Sequence, residues 1–106
     1  MIERLESYIK KELSAFLREN VSLNNGIFLS VTRVIADDSL EKAEVFVSVF
    51  PEKFSQDIFK ELRLLHKEAR KFLASRVKRH KIPQIQFVLD KNIDAESRIE
   101  KLLEKK

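Results

Sequence analysis

Cysteine is absent from the 106 residues, which excludes disulfide staples and thiolate chemistry. Glycine occurs once, as Gly26, and proline twice, as Pro51 and Pro83. So little of either leaves no flexible linker. A single glycine also cannot furnish a phosphate-binding glycine loop or a nucleophile elbow. No run of ~18 apolar residues exists, so no segment reads as a membrane-spanning helix. The charged opening Met1-Ile-Glu-Arg-Leu-Glu lacks the apolar core of a secretory signal. The two histidines, His66 and His80, do not have the i, i+4 spacing of a helical metal pair. Asp37-Asp38 reads as turn chemistry in preference to a cation site. The expectation is a cytoplasmic protein that is not an enzyme, with no metal, no cofactor and no membrane contact.

What is present is 43% hydrophobic and 36% charged residues, the balance of a globular chain, and residues 1–106 are expected to form a single domain. Ile2, Leu5, Ile9, Leu13, Phe16 and Leu17 recur at threes and fours, which predicts an amphipathic helix ending near Asn20. Ser22 to Gly26 reads as a turn. Ile27 to Ala36 is β-branched and alternating, so it predicts a strand. Val34 falls out of phase with Leu29 and Val31, which predicts a bulge near Thr32 and Arg33. After the turn at Asp37-Asp-Ser39, Lys42 to Phe50 alternates cleanly. Ala43, Val45, Val47 and Val49 point one way, and Glu44, Phe46, Ser48 and Phe50 the other. The aromatics on that second face offer surfaces on which bases could stack, although shielding of the sheet is the plainer reading.

From Ser55 to Val77, the residues Ile58, Leu62, Leu65, Ala69, Phe72, Leu73 and Val77 lie on one helical face, and the chain is helical until Pro83 stops it. The opposite face is basic. Between Lys60 and Lys81 nine Lys or Arg stand against two Glu, a balance of +7. The whole chain carries +4, so the remainder carries −3. Positive charge concentrated in this way suits a polyanion. The candidate phosphate contacts are Arg70, Lys71, Arg76, Lys78, Arg79 and Lys81. A straight helix from Ser55 to Lys78 would run about 35 Å in a domain whose radius of gyration is about 13 Å. A bend or short break is therefore expected between Leu65 and Phe72.

Gln84 to Leu89 supplies a third strand, and Asp94 can cap a short last helix carrying Ile99, Leu102 and Leu103. Strands two and three are joined by a helical crossover and must be parallel, whereas strands one and two share a short turn and must be antiparallel. The fold class is α+β: a three-stranded mixed sheet in the order 1-2-3, with helices on one face and a short C-terminal helix.

This order, α-β-β-α-α-β, resembles that of the type II KH domain, a module for single-stranded RNA. Four stretches are similar to one family in particular. They are Ile27-Phe-Leu-Ser-Val-Thr-Arg-Val34, Leu40-Glu-Lys-Ala-Glu-Val-Phe-Val-Ser-Val49, Ile82-Pro-Gln-Ile-Gln-Phe-Val-Leu-Asp90 and Arg98-Ile-Glu-Lys-Leu102, and they resemble the ribosome-binding factor A family. The resemblance implies an assembly factor that binds the immature small (30S) ribosomal subunit and its 16S rRNA. It also implies help in late maturation of the 16S rRNA 5′ end and importance in the cold. It further implies an Ala-x-Gly kink between the two helices. The matching position reads Ala69-Arg70-Lys71, with lysine where the family has glycine. Beside this reading stand a general single-stranded RNA-binding module and a protein-interaction domain using Phe28, Phe46 and Phe50. In each case the protein is expected to be a monomer.

Overall fold

A computed structural model describes residues 2–77 and 81–90. The alternating valines form its central strand, β2 (Lys42–Phe50), flanked by β1 (Phe28–Ala36) and β3 (Gln84–Leu89). β1 and β2 are antiparallel, with Phe28 opposite Phe50 and Ala36 opposite Ala43. β2 and β3 are parallel, with Ala43 opposite Ile85 and Val47 opposite Leu89. The helix-strand-strand-helix-helix-strand order and the mixed 1-2-3 sheet agree with the sequence reading. The expected last helix, with Asp94, Ile99, Leu102 and Leu103, lies outside the described residues.

Ala43, Val45 and Val47 are wholly buried, because three helices cover their face of the sheet. Helix α1 (Ile2–Asn20) lies on β1, α2 (Ser55–Leu64) on β2 and β3, and α3 (His66–Arg76) on β3 and α1. Leu5, Ile9, Leu13, Phe16 and Leu17 of α1 are all buried, each contributing about 1.5–3 kcal/mol when fully removed from water. The Phe16 and Phe72 rings meet at 5.3 Å between α1 and α3. The opposite face of the sheet carries Phe28, Phe46 and Phe50.

The register of β1 slips between Val31 and Arg33, leaving Thr32 without a cross-strand partner. This is the bulge expected there. It brings Val31 and Val34, three residues apart, onto the same buried face, where strict alternation would have turned Val34 to solvent. The Thr32 hydroxyl donates to Asp90 Oδ2 at 2.6 Å, tying the bulge to the end of β3.

The β1–β2 turn is organised by Asp37. Its carboxylate accepts the N–H groups of Glu41 at 2.9 Å and Lys42 at 3.3 Å and the Ser39 hydroxyl at 3.1 Å. Desolvation acts to raise its pKa, but the hydrogen bonds from Lys42, Ser39, Glu41 and Leu40 outweigh it and hold the carboxyl below its ordinary 3.8.

The long helical segment is broken, at the first residue of the expected interval. Leu65 takes φ −95° and ψ 1°, and its N–H donates to Leu62 O, three residues back. The Ala-x-Gly position is corrected: Ala69, Arg70 and Lys71 are continuous helix inside α3, and the break lies four residues before Ala69. The bridge conformation at Leu65 is open to any L-residue, so the turn between α2 and α3 needs no glycine. Ala69 is small for a different reason. It has no exposed surface, and its N–H restarts the helix by donating to Leu65 O at 2.8 Å.

Candidate nucleic-acid interface

β3 ends the sheet on one side, and a groove runs between it and the exposed sides of α2 and α3. One stretch, of about 620 Å³, is lined by His66, Lys67, Arg70, Lys71 and Ala74 of α3, with Ile82, Gln84 and Ile85 opposite. The adjoining stretch, of about 520 Å³, is lined by Phe59 and Arg63 of α2, His66, Lys42 and residues 84–87. His66, Gln84 and Ile85 belong to both, so the two are continuous. Among the described residues, Lys42, Arg63, Lys67, Arg70 and Lys71 supply five cations and no carboxylate lines either stretch. A concave surface of one sign over a low-dielectric floor concentrates potential and draws in polyanions.

The helical repeat explains why these side chains converge. Arg63, Lys67, the adjacent pair Arg70 and Lys71, and Ala74 succeed one another at steps of three or four, so the stripe stays on one side while Ile58, Leu62, Ala69 and Leu73 face the core. Two helices separated by a single-residue break at Leu65 thus present one basic wall. Arg70 is fixed in place, donating through Nε at 3.2 Å and Nη2 at 2.9 Å to Ile82 O. That bond spans from α3 to the residues leading into β3, so the same guanidinium shapes the groove and charges it.

The residues singled out from sequence separate into three groups. Arg70 and Lys71 line the groove, and Lys81 is exposed next to the groove residue Ile82. Arg76 faces α1. Its Nε donates to Glu12 Oε1 at 3.0 Å, its carbonyl oxygen accepts from the Tyr8 hydroxyl at 3.2 Å, and its guanidinium lies 5.5 Å from the Phe72 ring centre. The hydrogen bond and the charge of Glu12 raise the Arg76 pKa. This cation answers a carboxylate that is itself buried. Lys78 and Arg79 lie outside the described residues.

His66, which the sequence assigns a surface or RNA-facing role in preference to metal binding, lines the groove, and so do Lys42, Gln84 and Gln86, which the sequence does not single out. Arg63 and Lys67 belonged to the recognised basic face but not to the chosen contacts. The signal for Arg63 and Lys67 was their helical spacing from Arg70 and Lys71. Lys42 and the glutamines come from strands and carry no such local signal. Among the described residues no cluster of His, Asp or Glu is placed to hold a metal ion.

The family model of ribosome-binding factor A matches residues 1–103. The ribosome-binding factor A of Cytophaga hutchinsonii is 31% identical over 106 residues, spanning 97% of this chain and 80% of that protein. That of Halothermothrix orenii is 35% identical over 103 residues, spanning 96% and 84%. The crystal structure of ribosome-binding factor A from Thermus thermophilus has the same fold, with a TM-score of 0.70 at 21% identity over 84% of this chain and 94% of that one. A homology model of the Thermus thermophilus factor, fitted into a cryo-EM map of a 30S complex of that factor, matches at a TM-score of 0.66 and 21% identity, over 82% and 92%. The match runs over nearly the whole length in the family model and in relatives above 30% identity, so the chain belongs to the ribosome-binding factor A family.

Proposed function

We propose that this protein binds the immature small ribosomal subunit in the cytoplasm, as a monomer, and holds 16S rRNA through the groove along β3. In this reading it is a binding factor and not an enzyme. It assists late maturation, including processing of the 16S rRNA 5′ end, and the need for it is greatest in the cold. The observation that carries the reading is the groove itself: among the described residues, five cations without a carboxylate, in a member of a family named for binding ribosomes. A relative fitted into a map of a 30S complex supports the choice of subunit. Arg63, Lys67, Arg70, Lys71 and Lys81 act as phosphate contacts, which position the strand without reading its sequence.

The test is the salt dependence of binding. Each phosphate neutralised on a single strand contributes a log-log slope of about −0.7, so five contacts give about −3.5. Replacing Lys67 and Lys71 together by Ala removes two contacts, which flattens the slope by about 1.4 and weakens all sequences alike. The same variant is expected to lose co-sedimentation with immature subunits and to give a cold-sensitive 5′ processing defect. An unchanged slope with undiminished subunit binding would leave the groove a solvated surface.

A further inference from the structure

Resting on that reading of the groove, we infer that the helix-free face of the sheet is a stacking platform for the bases of single-stranded RNA that passes over β3. The face is built of rings. Phe28 is 69% exposed and Phe50 38%, and the two stand opposite each other across the β1–β2 pair. Phe46, on the central strand, lies beneath the Arg33 guanidinium, 4.2 Å from the ring centre. Arg33 is steadied by Asp90 Oδ2 at 3.8 Å, so a planar cation sits on an aromatic ring at the sheet centre. Between the two aromatic positions the Ser30 and Ser48 hydroxyls lie 3.1 Å apart. One exposed ring is ordinary; two exposed rings on one sheet face, with a third half-buried beneath a stacked guanidinium, offer a row of flat surfaces.

The occupant follows from the chemistry of that surface and from where it leads. Flat π faces and an Arg plane are what unstacked bases rest on, and the serine hydroxyls between them can meet base edges. The surface is also continuous with the groove. Gln84 and Gln86 line the groove, and Val88, next in the same alternation, stands opposite Phe46. A strand held by its phosphates against α3 therefore reaches Phe46 by crossing β3, and Phe28 and Phe50 lie beyond it along β2. The carboxylates of this face, Glu44 on β2 and Asp90 just past β3, are balanced by Lys42 and by the Arg33 that pairs with Asp90, so a polyanion meets no net negative charge.

The probes are a labelled oligouridylate long enough to span groove and sheet, and an abasic strand of equal length. Both carry the same phosphates, so a preference for the first measures stacking. The parent is expected to prefer the base-bearing strand. Phe28→Ala with Phe50→Ala should lower affinity for it by roughly 5- to 150-fold per base lost from the platform. The abasic strand should bind as before, with the salt slope unchanged. Phe28→Tyr with Phe50→Tyr keeps the rings and should keep the preference, whatever the alanine variant does to stability. Equal affinity for the two strands in the parent, or an undiminished preference in the alanine variant, would overturn the platform. So would loss of subunit binding with oligonucleotide affinity intact, which would assign the face to a protein, or a change from dimer to monomer, which would assign it to a second copy. Failure of the groove is read separately, from the slope of the Lys67→Ala, Lys71→Ala variant.

Discussion

Lys71 occupies the position where the resemblance implies a kink glycine, yet here it is the sixth residue of an eleven-residue helix, exposed and in helical conformation. Restoring glycine should therefore harm the fold. A direct comparison of Lys71→Gly with the parent mixes two effects. Loss of the lysine also relieves its repulsion with Lys67, one turn earlier, by about 0.2–0.5 kcal/mol. Lys71→Ala removes the same charge and the same stem, so the difference between the two variants isolates the backbone. In an exposed helix interior, glycine is about 0.8–1.0 kcal/mol less favourable than alanine. For a chain of this size 1 kcal/mol corresponds to a Tm shift of about 4–8 °C. Thermal unfolding followed by far-UV circular dichroism should place the Gly variant about 4–8 °C below the Ala variant. Urea titration should show a lower midpoint with the same m-value. Equal or higher stability of the glycine variant would mean that position 71 holds a bend, and the assignment of the break to Leu65 would fall. Both variants lose one groove cation, so each should also flatten the RNA salt slope by about 0.7.

Arg76→Ala leaves the buried Glu12 carboxylate without its cation and is expected to lower Tm while leaving the salt slope of RNA binding unchanged; a flattened slope in a variant of parental stability would move Arg76 to the interface. The Asp37 carboxyl is depressed in the folded state. Its contribution to stability is therefore complete above the ordinary value of 3.8 and lost as pH falls through the lower folded value. Asp37→Asn should remove that part of the acid dependence, and unfolding profiles of parent and variant that run parallel through this range would refute the role given to the turn.

Where neighbours along the chain decide the outcome, the sequence was sufficient. The valines of β2 alternate because one face of a strand is buried, and the apolar residues of α1 recur at threes and fours because one face of a helix is. The bulge was legible for the same reason: Val34 is out of phase, and only an extra residue returns it to the core. The parallel pairing of β2 with β3 followed from the length of the crossover. The break was legible as a necessity of length, but not its place. Leu65 takes a conformation open to every L-residue, so no residue type marks it, and the glycine position that the resemblance implies, residue 71, lies six residues past it.

Tertiary structure alone decided which cations are available. Arg70, Lys71 and Arg76 look alike in a basic run. Only packing shows that Glu12, from the far end of the chain, is buried beside Arg76, while the Ile82 carbonyl fixes Arg70 at the groove. Lys42 and Gln84 reach the same groove from strands far apart in sequence, brought together by a parallel register that no local pattern encodes. Periodicity reports which side of an element is wet, because burial acts on each residue through its own neighbours. It does not report what the wet side faces, because that depends on how separate elements meet.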